Sequence, residues 1–128
     1  MELNHINIAA PAEVLEQVRD FYCDAIELRE GARPNFDRHG YWLYDQDKAV
    51  VHLIASDRHI QPDIPPPLDH VAFTGQDNRA YAARLRQLGV AFKVNHIADF
   101  NITQIFCRDP SGTRVEVSFP GETPAVGA

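Results

Sequence analysis

Three histidines and one glutamate occupy positions that repeat along the chain. The motif around His5 (LNHI) returns 65 residues later around His70 (LDHV), and His52 returns 64 residues later as Glu116. Imidazole nitrogens and carboxylate oxygens are ligands for borderline divalent metals. If the two halves pack about a pseudo-twofold axis, these four side chains converge. The repeat therefore predicts a metal site formed by His5, His52, His70 and Glu116.

Taken singly, each of these residues has an ordinary structural explanation. A histidine or glutamate in a strand is more often a satisfied polar group than a ligand. His52, however, interrupts an otherwise apolar run over residues 49–54, and Glu116 lies in mid-strand between two valines. The coincidence at all four repeat positions favours the metal site. Within it, His52 is either a fourth ligand or a nearby base, and His52 and Glu116 are the candidate catalytic residues.

The elements that must position these residues follow the same order in both halves. Apolar runs, helical spacing, turn residues and strand alternation indicate a strand, an amphipathic helix and then two or three strands. In the first half these are residues 3–9, a helix opened by Pro11, and strands at 41–44 and 49–54. In the second half they are residues 68–74, a helix capped by Asp77 or Asn78 and ended by Gly89, a weak strand at 91–94, and strands at 102–108 and 113–119. The predicted fold class is α+β.

The length of the chain and the position of its proline-rich linker predict one folding unit made of two modules. A chain of 128 residues with 45% hydrophobic residues has the size and composition of a single globular domain. Residues 1–60 form module one and residues 68–120 form module two of one domain spanning 1–120. The proline-rich residues 61–67 form a semi-rigid linker, and residues 121–128 a flexible tail.

Charge and hydropathy exclude several kinds of partner. The formal net charge of −6 argues against electrostatic binding to nucleic acid or anionic lipid. No apolar run is long enough for a membrane span, and the first residues lack the basic and apolar regions of a signal peptide. Cys23 and Cys107 lie in strongly patterned segments, which favours free thiols. A cytoplasmic protein with a small-molecule substrate is expected.

Strand alternation gives the candidate substrate-binding residues. If Leu43, Ile105 and Cys107 pack against the helices, the alternate side chains of the same strands line a cleft. Large aromatic residues are as common in cores as in clefts, so a core role for the aromatic members is the competing interpretation. The residues on the cleft side are Trp42, Tyr44, Gln104, Phe106 and Arg108.

The motifs of the second half give the chain a family resemblance. Residues 68–73 (LDHVAF) and 106–117 (FCRDPSGTRVEV), with residues 20–22 as a weaker match, resemble the vicinal oxygen chelate superfamily of glyoxalases, extradiol dioxygenases, fosfomycin resistance enzymes and bleomycin-binding proteins. The resemblance implies two tandem βαβββ modules that form a curled sheet around a metal cleft. Its ligands, on the first and last strand of each module, correspond to His5, His52, His70 and Glu116. Glu27 stands where the family often has glycine.

This resemblance implies a divalent metal, with Fe, Ni, Zn or Mn as candidates, that binds two neighbouring oxygens of a small substrate. The expected activity is that of a glyoxalase-like lyase or isomerase. The alternative is an extradiol ring-cleaving dioxygenase acting on a catechol-like substrate, because His5, His70 and Glu116 make a two-histidine, one-carboxylate set. A non-enzymatic binding protein of the bleomycin-resistance type is less favoured because it needs no metal ligands. Open sheet edges and the resemblance together predict a homodimer.

Overall fold

The computed structural model describes residues 1–57 and 67–125. It divides the chain into two units, residues 1–63 and 64–128. Each unit contains one strand, one helix and three further strands in that order. The predicted linker, residues 61–67, lies outside the described residues except for its last position.

Module one is a four-stranded mixed sheet with a helix. Strand β1 pairs in parallel with β4, and β4 pairs in antiparallel with β3, which pairs with β2. The helix buries Leu15, Val18, Phe21 and Tyr22 at the spacing of an amphipathic helix. The elements are β1 (Ile6–Ala10), α1 (Ala12–Asp24), β2 (Arg29–Gly31), β3 (Gly40–Asp45) and β4 (Lys48–Ala55).

Module two repeats this arrangement. Its sheet has the order β5-β8-β7-β6, again with one parallel pair, β5 with β8, and two antiparallel pairs. The α+β fold of two βαβββ modules is thereby confirmed. The elements are β5 (Val71–Thr74), α2 (Asn78–Gln87), β6 (Phe92–Ile97), the 3-10 turn Ala98–Phe100, β7 (Ile102–Arg108) and β8 (Arg114–Pro120).

The strand registers show that the sequence repeat is also a structural repeat. His52 pairs with Trp42 on one side and Asn7 on the other. Glu116 occupies the same place in module two, between Phe106 and Ala72. The sheet register therefore relates His52 to Glu116 as the 64-residue spacing predicts.

The core lies on one face of each strand, as the alternation predicts. Leu43 and Ile105 are fully buried, Cys107 is 5% exposed, and both cysteines are free thiols. On β8 the apolar side chains Val115, Val117 and Phe119 are buried. The opposite faces of these strands carry the candidate site residues.

Each module has one ligand candidate near its start, and both of these histidines lie just outside their strands. The predicted strands begin at Leu3 and Leu68, but β1 begins at Ile6 and β5 at Val71. Their first ladder pairs are Ile6 with Val51 and Val71 with Val115. His5 and His70 each immediately precede a strand, so ladder hydrogen bonds do not hold them as firmly as His52.

Two further differences follow from contacts that local patterns do not contain. Strand β2 lies in the polar stretch that periodicity leaves unassigned, and it pairs with β3 through Arg29 to Gly31. At the other end, residues 121–125 do not behave as the predicted flexible tail. Both oxygens of the Glu122 carboxylate accept hydrogen bonds from the start of α2, and Ala125 donates to Asn78. Residues 126–128 lie outside the described part of the chain.

Helix α1 ends in a turn that places Glu27 in the left-handed region, at φ 67°. The backbone N–H of Leu28 donates to the carbonyl of Tyr22 and closes this turn at the helix C-terminus, where a residue in the left-handed region is usually glycine. The glycine expected here from the resemblance therefore has a backbone reason. Glu27 adopts this conformation at a cost in conformational energy, because its β-carbon crowds the backbone there.

Candidate functional site

In module one, His5 and His52 lie in direct contact. Their rings are parallel within 9°, with centroids 3.7 Å apart. The Trp42 indole stacks on His52 at 4.1 Å and 16°, as expected for its cross-strand partner. His52 is 8% exposed, whereas His5 is exposed. Three ring systems thus form one stack on this face of the sheet.

Hydrogen bonds identify which ring nitrogens remain available. His52 Nε2 lies 3.1 Å from the carbonyl oxygen of Ala49, which can only accept, so Nε2 carries the proton and Nδ1 keeps its lone pair. His5 uses Nδ1 toward Oδ1 of Asn4 at 2.7 Å. Burial, with a smaller effect of His5, lowers the pKa of His52. His52 is therefore neutral at pH 7, the form in which imidazole binds metals.

The stacked geometry limits what this pair can do as it stands. A metal ion lies close to the plane of each imidazole that binds it, and two parallel rings 3.7 Å apart cannot both direct in-plane lone pairs at one ion. Joint coordination needs one ring to turn. His5 is the ring that can do so, because it is exposed and precedes β1.

In module two, His70 and Glu116 lie together. His70 Nε2 is 3.3 Å from Glu116 Oε1, and Glu116 is 7% exposed. On the other side of the ring, His70 Nδ1 donates to Oδ2 of Asp69 at 2.8 Å. The same carboxylate oxygen accepts from Nη1 of Arg114 at 2.8 Å. The hydrogen bond from His70, with that from Arg114, holds the pKa of Asp69 below its usual value.

The contact between His70 and Glu116 has a chemical consequence. With the Nδ1 proton donated to Asp69, Nε2 of a neutral His70 presents only a lone pair to the carboxylate. Two lone-pair atoms 3.3 Å apart repel unless a proton or a metal ion lies between them. A carboxylate that orients a histidine from the far nitrogen is the usual outer partner of a metal-binding imidazole.

The predicted substrate residues divide into two groups. Trp42 stacks on His52, and Phe106 lies edge-on to His70 at 6.2 Å and beneath the Arg114 guanidinium at 4.3 Å. The other three make hydrogen bonds with residues that are not ligand candidates. The Tyr44 hydroxyl donates to the Ala32 carbonyl, Gln104 accepts from Asn95, and Arg108 donates to the Gly112 carbonyl. Of the five, Trp42 and Phe106 therefore adjoin ligand candidates.

A pocket of about 570 Å³ adjoins the stack in module one. Besides His5, His52 and Trp42, it is lined by residues that the sequence did not single out. These include Arg33, Phe36, Asp37 and Arg38, all from the polar stretch between β2 and β3. This stretch has no periodicity, so no sequence signal indicates that its side chains converge.

Within residues 1–57 and 67–125, no three His, Cys, Asp or Glu side chains form a metal-binding group. The structure brings together His5 with His52 in module one, and His70 with Glu116 in module two.

None of the helices in these residues is both long and apolar enough to cross a membrane.

The fold and the repeated ligand candidates define a two-module protein of the glyoxalase type. The chain matches the Glyoxalase/Bleomycin resistance protein/Dioxygenase superfamily over residues 2–117, and it belongs to this superfamily. A comparison with curated proteins finds no match.

Solved structures share the fold at low sequence identity. A glyoxalase/dioxygenase from Nostoc punctiforme has a TM-score of 0.78 at 14% identity, covering 94% of this chain and 92% of that one. The glyoxalase family protein from Enterococcus faecalis has a TM-score of 0.68 at 22% identity, with 91% and 96% covered. A variant of the fosfomycin resistance protein FosX from Listeria monocytogenes, in complex with Mn(II) and 1S,2S-dihydroxypropylphosphonic acid, has a TM-score of 0.74 at 16% identity, with 93% and 92% covered.

Proposed function

We propose that this protein is a divalent-metal-dependent enzyme whose metal ligands are His5, His52, His70 and Glu116. The proposed activity is that of a lyase or isomerase acting on a small substrate with two neighbouring oxygen atoms. The contact between His70 and Glu116 carries this proposal, because it brings an imidazole nitrogen and a carboxylate oxygen together and both suit a borderline divalent metal. A bound ion would supply Lewis-acid chemistry by polarising the substrate oxygens.

The surroundings of His70 fit this role. Asp69 accepts the Nδ1 proton and thereby fixes the tautomer that leaves Nε2 free for a metal. Arg114 holds Asp69 and, through its guanidinium, covers the ring of Phe106. Glu116 is buried, so a charged partner offsets the cost of keeping its carboxylate ionised. Together, Asp69, His70, Arg114 and Glu116 form a preorganised half-site.

The histidine pair of module one supplies the other ligands, from the same chain or from a second copy. His52 Nδ1 and His5 Nε2 are the nitrogens left by the hydrogen bonds to Ala49 and Asn4. If His52 is not a ligand, its neutral ring is available as a general base for a substrate proton. Its lowered pKa keeps it in the basic form at neutral pH.

An extradiol dioxygenase is the second candidate, and the aromatic pocket favours it. Trp42 and Phe36 both line the cavity beside His5 and His52. Such walls suit a flat aromatic substrate, and His5, His70 and Glu116 give a two-histidine, one-carboxylate set. A non-enzymatic binding protein would have no need of the Asp69–His70–Glu116 arrangement.

Metal analysis followed by activity assays tests the proposal. Protein purified without chelator is analysed for metal, stripped, and reloaded with Fe(II), Ni(II), Zn(II) or Mn(II). Turnover of a hemithioacetal with a redox-silent metal supports the lyase or isomerase, whereas oxygen consumption on a catechol with iron selects the dioxygenase. A protein that binds none of the four metals contradicts both proposals.

We also propose that the working unit is a homodimer with a small-molecule substrate. Leu3 and Leu68, two residues before the equivalent histidines, are 84% and 65% exposed, and Phe100 is 75% exposed. Strands β1, β2, β5 and β6 are each at the edge of a sheet. An isologous contact would cover apolar side chains and unpaired strand edges on both copies.

A further inference from the structure

The pocket of module one carries charged groups that metal binding does not use. Two guanidinium groups, Arg33 and Arg38, and one carboxylate, Asp37, are among its lining residues. Together, the two guanidinium groups and the carboxylate give the pocket lining an excess of one positive charge. At about 570 Å³ the cavity falls within the range of small-molecule sites.

The two arginines differ in what they already bind. Arg38 donates from both Nε and Nη2 to the carbonyl oxygen of Ala55, so this edge of its guanidinium is already hydrogen-bonded to the backbone. Arg33 donates from Nη2 to the carbonyl oxygen of Arg38 at 2.9 Å. Its Nε is buried and has no hydrogen-bond partner within the described residues. Of the two guanidinium groups, Arg33 is therefore the less committed to the backbone, although its Nε has almost no exposed surface.

The Nε atom of Arg33 is too buried for a ligand to reach it, so an acceptor in the pocket would pair with the Arg33 charge through the η nitrogens. The planar fork of arginine matches the two oxygens of a carboxylate, which adds geometric selectivity. The expected acceptor is consequently an anion with paired oxygens.

The shape of the pocket adds a second requirement. The Phe36 and Trp42 rings lie 6.3 Å apart and tilted by 48°, and the Arg33 guanidinium lies 4.9 Å from the Phe36 ring centre. Aromatic side chains favour contact with another flat ring. The pocket thus combines the Arg33 guanidinium with aromatic walls beside His5 and His52.

We infer that the substrate is a planar aromatic monocarboxylate, with its carboxylate on Arg33 and its ring against Phe36 and Trp42. This inference rests on the proposed function in taking the ligand of this pocket as the substrate of the metal site. Arg33 is then a specificity-determining residue, and it distinguishes an anionic aromatic substrate from a neutral one of the same shape.

Trp42 is the sole tryptophan of the chain, so its fluorescence reports occupancy of the pocket. The full chain, stripped of metal with chelator, is titrated with benzoate and with benzamide, its neutral analogue, and calorimetry checks both titrations. We expect benzoate to bind about tenfold more tightly, because benzamide cannot form the charge-assisted pair with Arg33.

Three variants separate charge from fold. Arg33→Gln should abolish the preference for benzoate, and Arg33→Lys should retain part of it because the charge remains. Arg29→Gln is the matched control, since Arg29 donates to the Gln46 carbonyl and does not line the pocket. Circular dichroism verifies that each variant is folded.

Equal binding of benzoate and benzamide, or no benzoate binding in the millimolar range, overturns the inference. So does an Arg33→Lys or Arg33→Gln variant that is folded and keeps the full wild-type preference. A parallel Mn(II) titration without benzoate keeps the two proposals distinct. Metal binding without benzoate preference refutes only the substrate class, and benzoate preference without metal binding refutes only the metal site.

Discussion

Nε2 of His70 lies 3.3 Å from Oε1 of Glu116, while Nδ1 of the same ring donates to Asp69. The imidazole is thus held between two carboxylates. Asp69 orients the ring from one side, and Glu116 offers a carboxylate oxygen beside the nitrogen on the other, which is the arrangement expected of a metal-binding imidazole with its outer partner.

Replacing either member of this pair should weaken metal binding without unfolding the protein. We expect His70→Ala and Glu116→Gln each to lower Mn(II) affinity by about a hundredfold or more. Loss of a group that only supports a metal ligand already lowers affinity by about ten- to a hundredfold. The core faces of β7 and β8 are untouched, so thermal unfolding should change little. His39→Ala is the control, because His39 is exposed and contacts Tyr41. Wild-type affinity in His70→Ala contradicts the proposed site.

Asp69 should affect the metal without touching it. Asp69→Asn removes the carboxylate that fixes the His70 tautomer, so affinity should fall by about tenfold while the number of bound ions stays the same. Calorimetric metal titration of the folded variant measures both. Asp99→Asn, in the 3-10 turn after β6, serves as the matched control. An unchanged affinity would show that Asp69 serves only to hold Arg114.

The sequence predicts these relationships because they follow from the repeat. The strand alternation and the 64-residue spacing locate His52 and Glu116 at equivalent places in the two sheets, since the strand period is a local property that recurs in both modules. Arg33 and Phe36 could not be found in this way. They come from an aperiodic stretch, and only the path of the backbone between β2 and β3 brings them to the pocket.

Glu122 is a second contact that local sequence patterns could not contain. Its carboxylate accepts from the backbone N–H groups of Asp77 and Asn78 and from Nδ2 of Asn78, residues 44 and 45 positions away. Asp77 itself caps the helix by accepting from Ala80, as the sequence predicts. The helix N-terminus is therefore closed by one predicted and one unpredicted acidic residue.

The Glu122 cap should make stability depend on pH. Burial alone would raise the pKa of Glu122, but the hydrogen bonds from Asn78 and Asp77 outweigh it and hold the pKa below its ordinary value of 4.5. The stabilisation is therefore complete above pH 4.5 and is lost as pH falls through the lower folded-state value. Glu122→Gln should cost about 1 kcal/mol at pH 7.

Urea unfolding of wild type and Glu122→Gln at pH 7 and near pH 3 measures this difference. The gap in unfolding free energy between the two proteins should shrink on acidification, because the wild-type carboxylate becomes protonated. Glu2→Gln is the control, since Glu2 is exposed and precedes β1. A gap that is equal at both pH values would mean that the charge of Glu122 contributes nothing.

Glu27→Gly should stabilise the fold. The residue is at φ 67°, where a β-carbon costs about 1–2 kcal/mol and glycine does not, although glycine loses about 0.5–1 kcal/mol through the entropy of the unfolded chain. A net gain of up to about 1.5 kcal/mol in unfolding free energy is expected. Glu27→Ala retains the β-carbon and separately measures the contribution of the side chain. A Glu27→Gly variant no more stable than Glu27→Ala contradicts the backbone explanation.

The proposed homodimer should depend on exposed apolar residues. Sedimentation of the wild type at micromolar concentration should give about twice the chain mass of 14.4 kDa. Leu3→Lys and Leu68→Lys place charges at equivalent exposed positions, so a dimer that buries either residue should dissociate in the corresponding variant. Leu88→Lys, at a 42% exposed position after α2, is the comparison outside the sheet edges. A wild-type monomer that retains its full metal content and activity would contradict the proposed dimer. A dimer that forms in all three variants would show that its interface does not bury any of these leucines.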